Sequence, residues 1–218
     1  MMIDEVRERL SRLPARLPKG PESLIPVLTG AGTRLPSAPR DAVRTRLAAV
    51  LVLIFPGDSG DALVILTERA DRGGHHSGEV SFPGGSAEPG DTDLEATALR
   101  EAAEEVALDP EAAGVEILGR LEPFWIPVSG FLVTPIVAVA ARRPDLTASP
   151  DEVARILEAP LAVFLPDAPI EMVERTIREW PLRYGAYAVD GLHVWGATAR
   201  ILGQLGALLG PPKSATEN

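Results

Sequence analysis

The sequence predicts an α/β protein, with a mixed β-sheet covered on both faces by helices. Three observations predict it. Apolar runs of strand length alternate with two main helical patterns. The run Ala48–Phe55 (AAVLVLIF) is apolar throughout, as in a strand buried on both faces. Hydrophobic residues make up 45% of the 218-residue chain, enough for a sizeable core in one domain with extensions.

The elements follow in order. Ile3–Leu13 has helical periodicity, and Arg16–Arg40 is a Pro- and Gly-rich lead-in. Residues 1–40 are therefore read as an extension, 41–210 as the domain, entered near Arg46, and 211–218 as a frayed tail. After Ala48–Phe55, the turn PGDSGD leads to a hairpin partner, Ala62–Arg69. Val80–Pro83 follows a loop that carries His75 and His76. Val115–Phe124 and Phe131–Ala141 read as strands, with Pro135 marking an edge or a bulge in the second. Asp151–Leu157 reads as helical and Ala162–Leu165 as a short strand, while Ile170–Leu182 is ambiguous. Asp190-Gly191 is a two-residue hairpin turn between Tyr184–Val189 and Leu192–Val194. Trp195–Leu209 is the last helix, and no internal repeat is visible.

Composition narrows the function. The chain has no cysteine, which excludes disulfides and thiolate metal sites and fits a cytoplasmic protein. Its formal net charge of −10 argues against nucleic acid and anionic membrane as partners. The N-terminus MMIDEVRERL lacks the apolar centre of a signal peptide, and no apolar run is long enough to span a bilayer.

The most informative stretch is Gly84–Leu108. Thr92 is a candidate helix cap, with Glu95 completing a capping box. Leu94, Ala98, Ala102 and Val106 form an apolar face. Glu101, Glu104 and Glu105 leave the same helix on one side, where like charges repel by a few tenths of a kcal/mol per pair, about 0.2–0.5. Solvent can relieve this repulsion, as can Arg100 or a hard divalent cation with oxygen ligands. The preceding Phe82-Pro83-Gly84-Gly85 is a rigid-then-flexible turn that lets backbone approach a ligand closely.

Gly85–Leu108 resembles the Nudix box of the Nudix hydrolases, GX5EX7REUXEEXGU. Arg100-Glu101-Ala102-Ala103-Glu104-Glu105 fits REUXEE throughout. Asp91 stands where the pattern has Glu, one extra residue precedes Arg100, and Ala107 replaces the final glycine. The resemblance implies an α/β/α sandwich and a homodimer among the assemblies open to it. It also implies hydrolysis of a small-molecule diphosphate with Mg²⁺ or Mn²⁺, the metal ligands being Glu101, Glu104, Glu105 and the Gly85 carbonyl. Arg100 would orient these carboxylates, and Glu104 or Glu152 would serve as general base.

Leu66-Thr67-Glu68-Arg69, Gly78 and Phe82-Pro83-Gly84-Gly85 are further similar to the signature LLTXRX4RX3GX3FPGG of the coenzyme A pyrophosphatase branch. Gly74 replaces its second arginine, leaving Arg72, His75 or His76 to contact phosphate beside Arg69, Gly84 and Gly85. The implied products from coenzyme A are 3′,5′-ADP and 4′-phosphopantetheine. Another nucleoside diphosphate derivative is the alternative substrate, and a non-catalytic nucleotide-binding module the alternative role. Each marked residue also has a plainer reading. Glu152 suits an exposed helix start and Arg69 a structural ion pair. Trp180 and Trp195 suit packing or an interface, and Phe124 and Trp125 suit packing or adenine stacking.

Overall fold

The structure, a computed structural model, describes residues 1–30, 32–34, 45–70, 79–126, 129–177 and 180–211. In chain order, α1 (Ile3–Leu10) and a 3-10 turn (Glu22–Leu24) precede β1 (Val27–Leu28), β2 (Arg46–Pro56) and β3 (Ala62–Arg69). Then come β4 (Val80–Ser81), β5 (Gly84–Ser86), α2 (Leu94–Val106), α3 (Pro110–Ala113), β6 (Val115–Arg120) and β7 (Phe124–Ile126). β8 (Phe131–Ala140), β9 (Val153–Pro160), a 3-10 turn (Leu161–Phe164), β10 (Glu171–Ile177), β11 (Trp180–Val189), β12 (Leu192–Val194) and α4 (Gly196–Leu209) complete the described chain.

β2 to β9 form one eight-stranded mixed sheet. β2 lies beside β8 in parallel, over Arg46–Ile54 against Phe131–Val139. Its other edge is shared between β5, opposite Ala48–Val50, and β3, opposite Ile54–Pro56. β3 therefore diverges from β2, and the Val80–Ser86 segment fills the gap, through β4 against β3 and β5 against β2. That wedge carries the double-glycine bend.

Alternate residues of β2 and β8 enter two cores. Ala49, Leu51, Leu53, Ile136 and Ala138 pack with Ala98, Ala102 and Val106 of α2. Val52, Ile54, Val137 and Val139 pack on the opposite face with Val6 and Leu10 of α1 and Leu202 and Leu205 of α4. The fold is thus the expected helix–sheet–helix sandwich. A second, four-stranded sheet joins β1, β11, β10 and β12. It ties the N-terminal segment to the C-terminal one, since Val27 and Leu28 pair with Arg183 and Leu182. α1 is fixed further by an ion pair from Arg7 to Glu116 at 2.7 Å and a bond from Arg9 to the Leu209 carbonyl.

The hairpin turn at Asp190-Gly191 has both residues at positive φ, 48° and 79°, as a type I′ turn requires. Five expectations need correction. Val115–Phe124 is not one strand but two, β6 and β7, interrupted after Arg120. Asp151–Leu157 is not a helix. A tight turn in which Glu152 and Val153 N–H both donate to the Ser149 carbonyl leads into β9, which pairs with the free edge of β3. Long-range pairing thereby overrides local helical preference. Ala162–Leu165 is not a strand, because Pro160 opens a 3-10 turn that buries Leu161 and Phe164 together. The cap of α2 is Asp93 rather than Thr92; its carboxylate accepts from Glu95 N at 2.9 Å and Ala96 N at 2.8 Å. Pro135 lies at neither an edge nor a bulge but in the central strand. Its carbonyl accepts from Leu121 N where the neighbouring strand changes from β7 to β6, so its missing N–H falls on a break in the ladder.

Ala107 ends α2 in the left-handed region at φ 54°. A Cβ there costs ~1 kcal/mol relative to glycine. Ala107→Gly is expected to raise the melting temperature by roughly 2–4 °C, measured by calorimetry.

Candidate active site

α2 lies on the sheet through Ala98, Ala102 and Val106, with Leu94 half-buried at its start. Its other side turns toward the Gly84-Gly85 bend. Arg100 is the hub there. Its Nε donates to Asp91 Oδ1 at 3.0 Å and its Nη2 to Asp91 Oδ2 at 3.1 Å, a bidentate fork. Nη2 also reaches the Ser86 carbonyl at 3.0 Å, while Nη1 donates to Glu101 Oε1 at 3.0 Å and Glu104 Oε2 at 3.2 Å. Asp91 in turn accepts from Thr97 Oγ1 at 2.8 Å and Glu88 N at 2.9 Å. The Arg100 fork, then these donors, hold the Asp91 carboxyl well below the usual carboxylate range, and Asp91 raises Arg100 above its ordinary value. Asp91 thus anchors Arg100, and Arg100 in turn fixes the position of the glutamates.

Glu105 is 4% exposed. It accepts a hydrogen bond from Gly84 N at 3.2 Å, and Arg69 Nη1 stands 4.0 Å from its other oxygen. Burial pushes its carboxyl up to about 7; the charges of Glu101 and Glu152 add to this, and Gly84 N–H and Arg69 oppose it. Glu101 is raised chiefly by burial, with Arg100 opposing and Glu104 and Glu152 adding. Glu104 is the outlying member, its side chain 59% exposed and tied to Arg100.

The two glycines have different reasons to be glycine. Gly84 has φ 155°, and a Cβ on it would come within 2.4 Å of the Ala49 carbonyl. On Gly85 the Cβ would sit 2.5 Å from the Glu101 carboxylate. Glu101 and Glu105 are therefore pressed onto the bend from one side. Arg69 ends β3 at a bulge, and Ala70 N donates to the Glu152 carbonyl, which brings the β9 turn to the same place. The last carbonyls of α2 help to hold that turn, through Ser149 N to Glu105 O at 2.8 Å and Thr147 N to Val106 O at 3.0 Å.

Glu101, Glu105, Arg69, Gly84, Gly85 and Glu152 thus share one neighbourhood, with Arg100 and Glu104 on its rim. As the side chains stand, no three acidic or histidine groups among the described residues converge on a single ion-sized point. Their donor chemistry nevertheless fits a hard cation, since the charges of Glu101 and Glu152 both raise the pKa of the buried Glu105 and are only partly offset by Arg69. Arg72, His75 and His76 lie outside the described residues. Of the aromatics, Trp195 stacks on Tyr184 at 4.7 Å, and Trp180 is exposed. Trp125 is buried with no partner for its indole N–H among the described residues, and the Phe124 ring lies 4.8 Å from the Arg200 guanidinium. No local pattern marks the Ser86 carbonyl or Thr97 in advance. For Asp91, the cue was an acid one helical turn before the helix start.

A short helix locked by its own arginine onto a double-glycine bend defines the Nudix class, and the chain belongs to the Nudix hydrolase family. The NUDIX domain matches residues 45–169. The chain is 38% identical over 184 residues to the Nudix hydrolase NudL of Salmonella paratyphi B, covering 80% of this chain and 88% of that protein. It is 39% identical over 173 residues to Nudix hydrolase 15, mitochondrial, of Arabidopsis thaliana, covering 74% of this chain but 58% of the Arabidopsis protein's length. Among solved structures, a Nudix hydrolase from M. smegmatis aligns at 23% identity and a TM-score of 0.46, over 63% of this chain and 80% of that one. No helix among the described residues is long and apolar enough to cross a membrane.

Proposed function

We propose that the protein hydrolyses a diphosphate bond with the help of Mg²⁺ or Mn²⁺. The observation that carries this reading is the buried Glu105 carboxylate, held at the Gly84 N–H beside Glu101 and Arg69. Glu101, Glu104, Glu105 and the Gly85 carbonyl are the proposed ligands. A divalent ion bound there would offset charge on the bridging oxygens and lower the pKa of a water. Arg100 and Asp91 keep the carboxylates oriented. Arg69, at the rim of the bend, is placed to meet substrate phosphate. Glu104, which is exposed, and Glu152, whose charge reaches both buried carboxyls, are the groups suited to accept a proton from water.

The substrate we propose is coenzyme A or an acyl-coenzyme A, on the strength of Leu66–Arg69 and Phe82–Gly85. Gly74 favours a second reading, in which another nucleoside diphosphate derivative is cleaved. A metal-dependent hydrolysis screen with chromatographic separation of the products, over coenzyme A, ADP-ribose, NADH, diadenosine polyphosphates and nucleoside triphosphates, decides between them. Coenzyme A is expected to give the highest kcat/KM. Turnover of none would leave a non-catalytic binding module.

A further inference from the structure

Among the described residues, Arg200 is a part-buried cation with no anion. Arg200 is half-buried on α4, and among the described residues it makes no hydrogen bond or ion pair; its guanidinium lies over the Phe124 ring. Burial and then the nearby Arg34 both lower its pKa, so a second guanidinium stands within electrostatic reach. Arg34 is held by Glu22 at 3.2 Å, with both side chains exposed. Nothing at the start of α4 neutralises Arg200, because the first turn has no acidic residue and no side-chain cap. A part-buried charge without a partner is costly to keep, more so in a chain of net charge −10 with many carboxylates to spare.

Arg200 lies on the helix that is tied to the segment leading into the bend. Two residues before Arg200, Thr198 Oγ1 donates to the Val80 carbonyl at 2.9 Å, fixing α4 to the segment that leads into Gly84. Gly84 follows Val80 by four positions, a span of at most about 13 Å.

We propose that Arg200, with Arg34 beside it, receives a phosphate monoester that the substrate carries on its nucleoside, away from the diphosphate to be cleaved. Two guanidinium groups match a monoester, whose charge at neutral pH is about −1.5 to −2. The forked donors of arginine suit its oxygens better than a single ammonium would. Phe124 supports the guanidinium from below, which accounts for an aromatic at that position. This subsite rests on the diphosphatase reading and deepens it, because it supplies a cation for a substrate whose signature arginine is here Gly74.

The test uses the full chain and Arg200→Met, which keeps an apolar stem over Phe124. Arg34→Gln is the second variant, at an exposed position whose loss leaves the core untouched. For wild type, kcat/KM with Mg²⁺ should be higher for coenzyme A than for 3′-dephospho-coenzyme A. R200M should lower that ratio at least about tenfold, as expected for losing one charge-assisted contact, and R34Q should lower it less. In EDTA, calorimetry should show adenosine 3′,5′-bisphosphate binding tighter than adenosine 5′-monophosphate, with the preference lost in R200M and weakened in R34Q. Loss of that preference without any coenzyme A turnover upholds the subsite and sinks the substrate reading. Coenzyme A turnover with a ratio that neither variant changes overturns the subsite. If R200M does not fold, R34Q alone decides by the same two ratios.

Discussion

Glu105→Gln is expected to lower metal-dependent turnover by at least about 100-fold while leaving the fold intact. The amide oxygen still accepts from Gly84 N–H, so the bend is kept; what disappears is the buried negative charge. Stability should move in the opposite direction to activity. Without metal, burial pushes the wild-type carboxyl from 4.5 in the unfolded chain up to about 7 in the fold, so the native state binds more protons between these values. Its stability therefore falls as pH rises through that window. The variant has nothing to titrate, so its melting temperature should exceed that of metal-free wild type, by a margin that opens above pH 4.5 and is complete above about 7. Added Mg²⁺ should raise the wild-type melting temperature more than the variant's. A variant that turns over at near wild-type rate would remove Glu105 from the chemistry.

Gly85→Ala should separate function from folding still more sharply. The new methyl would meet the Glu101 carboxylate at 2.5 Å, the free end of a flexible side chain, which can swing away at little cost to stability. Once displaced, Glu101 loses its place at the bend, and a shift of about 1 Å in a reacting group can cost ~100-fold in rate. Gly84→Ala is the contrasting control. There the clash is with the Ala49 backbone at 2.4 Å and φ is 155°, so melting temperature should fall along with activity. Steady-state rates and calorimetry on the two variants check both statements. A fully active G85A would mean that the position of Glu101 does not matter.

The sequence made the local features legible. Two strand-forming apolar runs, the Asp190-Gly191 turn and the apolar stripe of α2 each depend on neighbours in the chain, and each appears where periodicity places it. The acids at 101, 104 and 105 could be read as sharing one helix side. Their unequal fates could not, because burial of Glu105 and exposure of Glu104 depend on where the Val80–Ser86 wedge meets α2. The same holds for β9. Asp151–Leu157 has helical composition, yet the open edge of β3 captures it, and nothing within that segment announces the partner. Asp91 looked like a shortened substitute for glutamate. In the structure it grips Arg100, a role set by the extra residue and the Asp93 cap that together position the loop. The N-terminal segment, read as a helix at Ile3–Leu13 and an extended lead-in from Arg16, is built into the body of the protein through α1 and β1.

That last feature has a practical side. The stretch matched by the NUDIX domain ends well short of the strands and helices that close the molecule, so a fragment cut to 45–169 would lose the α1 and α4 cover from one side of the central sheet. Val52, Ile54, Val137 and Val139 would then face water as a contiguous greasy surface, which promotes self-association. Expression designs that keep both flanks should yield soluble protein, whereas minimal-domain designs should aggregate.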